Sequence, residues 1–103
     1  MRLYDLSQDA EEDLRDILRY TLKKWGREQV GRYRDQLLKA LNSIARAENP
    51  ARHFSERLPD VLVAKCEHHY IFYSLYNGRR PLILALFHER QDIVARLAHR
   101  LDG

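Results

Sequence analysis

The residues able to do chemistry crowd into two short runs, Cys66-Glu67-His68-His69 and His88-Glu89-Arg90-Gln91-Asp92. The second follows directly on the apolar Leu84-Ala85-Leu86-Phe87 and sets a base, an acid and a cation side by side at the mouth of a packed strand. The first has the residue types of a metal site. Adjacent strand residues point to opposite faces, however, so His68 and His69 cannot easily meet one ion, and no second ligand pair at zinc-like spacing occurs elsewhere. A polar hairpin turn is the better reading, and no metal is expected. Cys66 as a nucleophile would need a histidine base, for which His68 and His88 are the candidates; a small buried thiol is the commoner fate of a strand cysteine. For His88-Glu89-Arg90 the residues favour an ion-pair network closing the end of the sheet, with Glu89 or Asp92 bonded to a neighbouring arginine. Arg79 and Arg80 read as solvated charge. No catalytic residue follows from these patterns alone.

Three strands in a row must position both runs: Val61–Cys66, His69–Tyr76 and Pro81–His88. Asn77-Gly78 between the last two is the strongest short-range hairpin signal, because both turn residues take positive φ. His69–Tyr76 is apolar or aromatic on both faces and belongs in the middle of the sheet; Val61–Cys66 belongs toward an edge. Ala51–Asp60 has no clean period, carries Pro59, and reads as an irregular loop pinned by Phe54 and Leu58.

Upstream, Leu3–Leu6 suits a short first strand and Ser7 a helix cap. Asp9, Glu11, Glu12 and Asp13 open that helix, and Arg19, Lys23 and Lys24 close it, as its dipole favours. Ala10, Leu14, Ile17, Leu18, Thr21 and Trp25 give one buried stripe. Gly26 stops the helix. Trp25 is therefore expected in the core, against Val30 and Tyr33, with Tyr20 at the core rim; neither is read as a stacking platform. A second helix from Arg27 to about Ala47 presents Val30, Tyr33, Leu37, Ala40, Leu41 and Ile44, and Asn49-Pro50 ends it. The short link folds the two helices into an antiparallel hairpin that covers one face of the sheet. Ile93, Leu97 and Leu101 suit a short terminal helix with Arg96 and Arg100 on its outer side. The fold class is thus α+β: a helical hairpin on a small, mostly antiparallel sheet, ordered β-α-α-β-β-β, with a short C-terminal helix.

At 103 residues the chain is read as one domain, residues 1–103, with a modest core. Its 45% hydrophobic and 32% charged content fits a soluble globular protein. No apolar run approaches the roughly 20 residues of a membrane helix, and the N-terminus lacks the apolar region of a signal peptide. One cysteine excludes an internal disulfide and fits a reducing cytosol, so a cytoplasmic location is expected. A net charge of +3 favours an acidic partner but falls short of a dedicated nucleic-acid stripe.

Leu6-Ser7 through Ala10-Glu11-Glu12-Asp13-Leu14, then Tyr20, Trp25-Gly26, Gln29 and Tyr33, then Cys66-Glu67-His68-His69-Tyr70-Ile71-Phe72 and Phe87-His88-Glu89-Arg90-Gln91-Asp92 together carry a family pattern. With the order strand, helical hairpin, meander, they resemble the RelE/ParE superfamily of bacterial toxins. Within it the chain is similar to the ParE family of ParD–ParE plasmid-stabilisation modules, its last two blocks looking particularly close to ParE of broad-host-range plasmids. The likeness covers nearly the whole chain and is weakest over Ala51–Asp60. The helix-end Trp-Gly with the terminal His-Glu-Arg-x-Asp makes it specific.

That resemblance implies a toxin that binds DNA gyrase, traps it on cleaved DNA, uses no cofactor and does no chemistry of its own. It implies a hetero-oligomer with a ParD-type antitoxin whose C-terminal segment wraps the toxin, and no membrane partner. The expected partner-binding residues are Lys65, Tyr73, Arg79, Arg80, His88, Glu89, Arg90, Arg96 and Arg100; Trp25, Gly26, Tyr33 and Asp92 are expected to be structural. The alternative is a RelE-like, ribosome-dependent mRNA endoribonuclease. In that branch basic residues of the sheet act with a tyrosine after the last strand, and the stretch from Ile93 to Leu101 has none. A pair formed by His88 and Glu89 would be its remaining acid and base.

Overall fold

A computed structural model describes residues 3–48, 52–75 and 80–102. Asn77-Gly78, Arg79 and Asn49-Pro50 lie outside them. The short strand β1 (Asp5–Leu6) leads into helix α1 (Gln8–Trp25) through Ser7, whose Oγ accepts the Ala10 N–H at 3.0 Å. The same hydroxyl donates to the Leu84 carbonyl, so one side chain caps the helix and ties it to the sheet. Gly26 alone links α1 to α2 (Arg27–Ala45), at φ 92° and ψ 177°. That is backbone territory almost closed to residues with a Cβ. A Cβ there would meet no neighbouring atom, so Gly26→Ala tests backbone strain alone. We expect it to cost about 1–2 kcal/mol, lowering Tm by several degrees in a thermal melt.

Five strands follow the order β1-β5-β4-β3-β2. They comprise β2 (Arg52–Ser55), β3 (Leu58–Cys66), β4 (His69–Ser74) and β5 (Leu82–His88) besides β1, and α3 (Ile93–Asp102) closes the chain. Among the described residues only the β1–β5 pair is parallel. The α+β architecture is as expected, with β4 in the centre. One element differs: the stretch read as a loop contains β2, which pairs antiparallel with β3 and displaces β3 from the edge. Edge strand β2 is exposed over Arg52 and His53, so it needs no alternating apolar pattern. Pro59 is accommodated near the start of β3, where a missing N–H costs little.

The sheet is buried on both faces. Ile71 and Tyr73 of β4 pack under the helical hairpin with Leu37, Leu41 and Ile44, while Phe72 points to the other face with Phe87 and the α3 residue Leu97. A bulge sets Phe72 against Ala85 but Tyr73 against Ile83, leaving Leu84 as the extra residue of β5. Past it, the Leu86 and His88 N–H groups find side-chain acceptors instead of a strand: Asp13 Oδ2 at 3.0 Å and Gln91 Oε1 at 2.8 Å. Arg100 completes the seal. Its guanidinium grips Asp13 with two bonds, 2.6 and 3.1 Å, bonds the Leu84 carbonyl and lies 4.8 Å from the Phe87 ring centre. Arg100 is therefore not on the outer side of α3; it locks α3 to α1 across the edge of β5.

Candidate partner-binding face

The two polar runs meet at one end of the sheet. The β3–β4 turn holds Glu67 at φ 53°, and the His68 carbonyl accepts the Glu89 N–H at 2.8 Å, fastening that turn to the end of β5. Glu89 then bridges two donors: His68 Nδ1–H donates to Oε1 at 3.0 Å and Lys65 Nζ reaches Oε2 at 3.2 Å. Bonding from His68 first, then Lys65, holds the Glu89 carboxyl below its usual range, and Glu89 in turn pushes the Lys65 ammonium up. The expected network does close the sheet, with Lys65 and His68 in place of an arginine.

His88 is occupied by backbone: its Nδ1 accepts the Arg90 N–H at 3.0 Å, and its ring lies edge-on to His69, 5.1 Å away. His69 turns inward to the Tyr33 hydroxyl of α2. A hydroxyl has one proton; given to Nδ1, it leaves Nε2 to carry the ring's own. Burial first, then positive charge on His88 and His68, lowers the His69 pKa to about 4, so this imidazole stays neutral. Burial also raises the Tyr33 and Tyr73 phenols and the Cys66 thiol, which rules out Cys66 as a ready nucleophile. Asp92 caps α3, its Oδ1 accepting the Ala95 N–H. Gly26 stands between the two helices, and Tyr33 of α2 is buried.

Other expectations are corrected. Trp25 is 63% exposed and Tyr20 60%, so neither belongs to the core. Tyr73 is buried to 4% under the helices and offers no surface. Arg80 pairs with Asp5 at 3.0 Å near the start of β5, the opposite end of the sheet from His88. Arg90 makes no ion pair among the described residues: Glu89 is taken by His68 and Lys65, and Asp92 by the helix cap.

What remains together is a cleft of about 610 Å³ between the end of α1 and the β5–α3 corner. Tyr20, Lys24 and Trp25 stand on one side, with His68, His88, Glu89, Arg90 and Arg96 opposite. Sequence reasoning missed Asp13, Lys24 and His68 as members of this region. Asp13 did carry a signal, an acid on the same helical face as Ala10, Leu14 and Ile17.

This fold is similar to that of a solved structure described as the chromosomal ParDE TA system from P. aeruginosa. The likeness has a TM-score of 0.68 at 19% identity, over 84% of this chain and 96% of that one. The family model for the ParE toxin of the type II toxin–antitoxin system, parDE, matches residues 4–93, and the chain belongs to that family. It is also 44% identical to "Toxin ParE" of Escherichia coli across the full 103 residues of both.

Proposed function

We propose that this toxin of a type II toxin–antitoxin module acts in the cytoplasm by binding DNA gyrase and halting replication, without chemistry of its own, until a ParD-type antitoxin neutralises it. Membership of the ParE family over nearly the whole chain carries this reading. The state of the titratable groups supports it: the His69, His88, Glu89 and Asp13 side chains each make a bond that holds the fold together. Lys65, His88, Glu89, Arg90 and Arg96 remain the proposed partner contacts.

An antitoxin segment has places to dock. Leu22, Leu38 and Val94 are exposed, and β2 has no strand on its outer side among the described residues. Extended and amphipathic helical segments suit such edges and grooves. No helix among the described residues is long and apolar enough to cross a membrane. Induced expression should stop DNA synthesis and produce filamentous cells, and co-expression of the antitoxin should restore growth.

One contact favours the ribonuclease alternative, the His68–Glu89 pair at 3.0 Å, since a carboxylate-bound imidazole is a general base in waiting. Mapped cleavage of messenger RNA in the ribosomal A site within minutes of induction, lost in His68→Ala, would establish that alternative.

A further inference from the structure

Trp25, Tyr20 and Lys24 form an unusual surface. Two large aromatic side chains stand mostly in solvent, and the Lys24 ammonium lies 5.5 Å from each ring centre. The acids lining their cleft are already engaged: Asp13 by Arg100, Asp16 by Arg19, and Glu89 by Lys65 and His68. Lys24, Arg90 and Arg96 make no ion pair among the described residues, so the charge left to a visitor is positive. The cleft volume of about 610 Å³ sits in the range of roughly 300–1,000 Å³ typical of small-ligand sites.

We propose that this cleft binds a short single-stranded segment of nucleic acid, its bases stacked on Trp25 and Tyr20 and its phosphates held by Lys24, Arg90 and Arg96. Rings and cations in alternation are how proteins hold single strands without reading sequence, because every base has a π-face and every linkage a charge. An acidic peptide would satisfy the cations and leave both rings without partners. A duplex offers its phosphates but keeps its bases paired, and the chain's net charge of +3 is too small for a duplex-binding stripe. The site goes beyond gyrase inhibition and does not depend on it.

Trp25 is the chain's single tryptophan, so its fluorescence reports the cleft directly. Titration with short oligo(dT) or oligo(U) should quench it; the two arms tell whether the sugar matters, and binding in either supports the site. The affinity should fall with salt at a log–log slope of about −2, as expected for three phosphate contacts to a single strand. By anisotropy of a labelled oligonucleotide, Trp25→Ala should weaken binding about 5- to 100-fold and leave the salt slope unchanged. Arg90→Ala should reduce the slope by about 0.7. Both side chains are exposed, so both variants should fold, which circular dichroism checks. Three results would overturn the proposal: no quenching at low salt, equal binding of a matched duplex or of polyglutamate, or a Trp25→Ala protein that binds as tightly as the parent. Gyrase inhibition measured on Trp25→Ala, a position outside the proposed partner contacts, keeps the two claims separate.

Discussion

Replacing Asp13 with alanine is expected to destabilise the fold by about 2–4 kcal/mol, out of the 5–15 kcal/mol typical of a small domain. The side chains of Asp13 and Arg100 are only 15% and 21% exposed. The substitution removes both guanidinium bonds and leaves the Leu86 N–H of β5 without its acceptor. The upper end for a fully buried pair is about 5 kcal/mol, and the residual exposure lowers it. Arg100→Ala should cost less than Asp13→Ala, because the carboxylate keeps the Leu86 N–H. Arg100→Lys should recover only part, since one ammonium cannot make the two-pronged bond. Urea titrations of the two single variants and the double variant would give a coupling of about 1–3 kcal/mol. A coupling near zero would show that α3 is held by the packing of Leu97 and Ile93, without help from this pair.

Acid should weaken the fold in a window set by His69. Its folded pKa of about 4 lies below the ordinary 6.5, so between those values the unfolded chain binds a proton that the native protein refuses. Stability is therefore full above about pH 7, falls as pH drops through 6.5, and levels off below 4. From pH 7.5 to 5 the loss should be about 2 kcal/mol at most, less where water reaches the ring. Groups facing this imidazole are Tyr33 from α2, His68 from the β3–β4 turn, and His88 and Glu89 from the end of β5. The lowered carboxyl of Glu89 acts in a separate, more acid window, where protonation costs its bonds to His68 and Lys65. His69→Gln should flatten stability between pH 7.5 and 5. An NMR titration placing the His69 midpoint near 6.5 would remove the basis for this prediction.

How far the sequence foretold this depended on where each residue's partner lay. The Ser7 cap, the Gly26 break and the β4 core are local: a cap bond three residues long, a forced φ, and an unbroken apolar run. The spacing puts Arg100 on the outer side of α3, because its partner lies 87 positions away and nothing near it announces a carboxylate. Trp25 failed for a different reason. Helical spacing placed it on the buried stripe, but burial stops one turn earlier, at Thr21, where covering neighbours run out. β2 escaped notice because an exposed edge strand need not alternate, and the bulge at Leu84 is a matter of pairing. At the site, both polar runs were visible as sequence. The turn-to-strand bond between Glu89 and His68, which gives Glu89 its partners, was not.

The most direct measurement of the proposed mechanism mixes purified gyrase, plasmid DNA, ATP and this toxin, then traps the products with detergent and protease. The account predicts cleaved plasmid accumulating with toxin dose, abolished by the cognate antitoxin and unaffected by His68→Ala. Gyrase that supercoils normally at every dose, while translating ribosomes release messenger RNA cut in the A site, would contradict it.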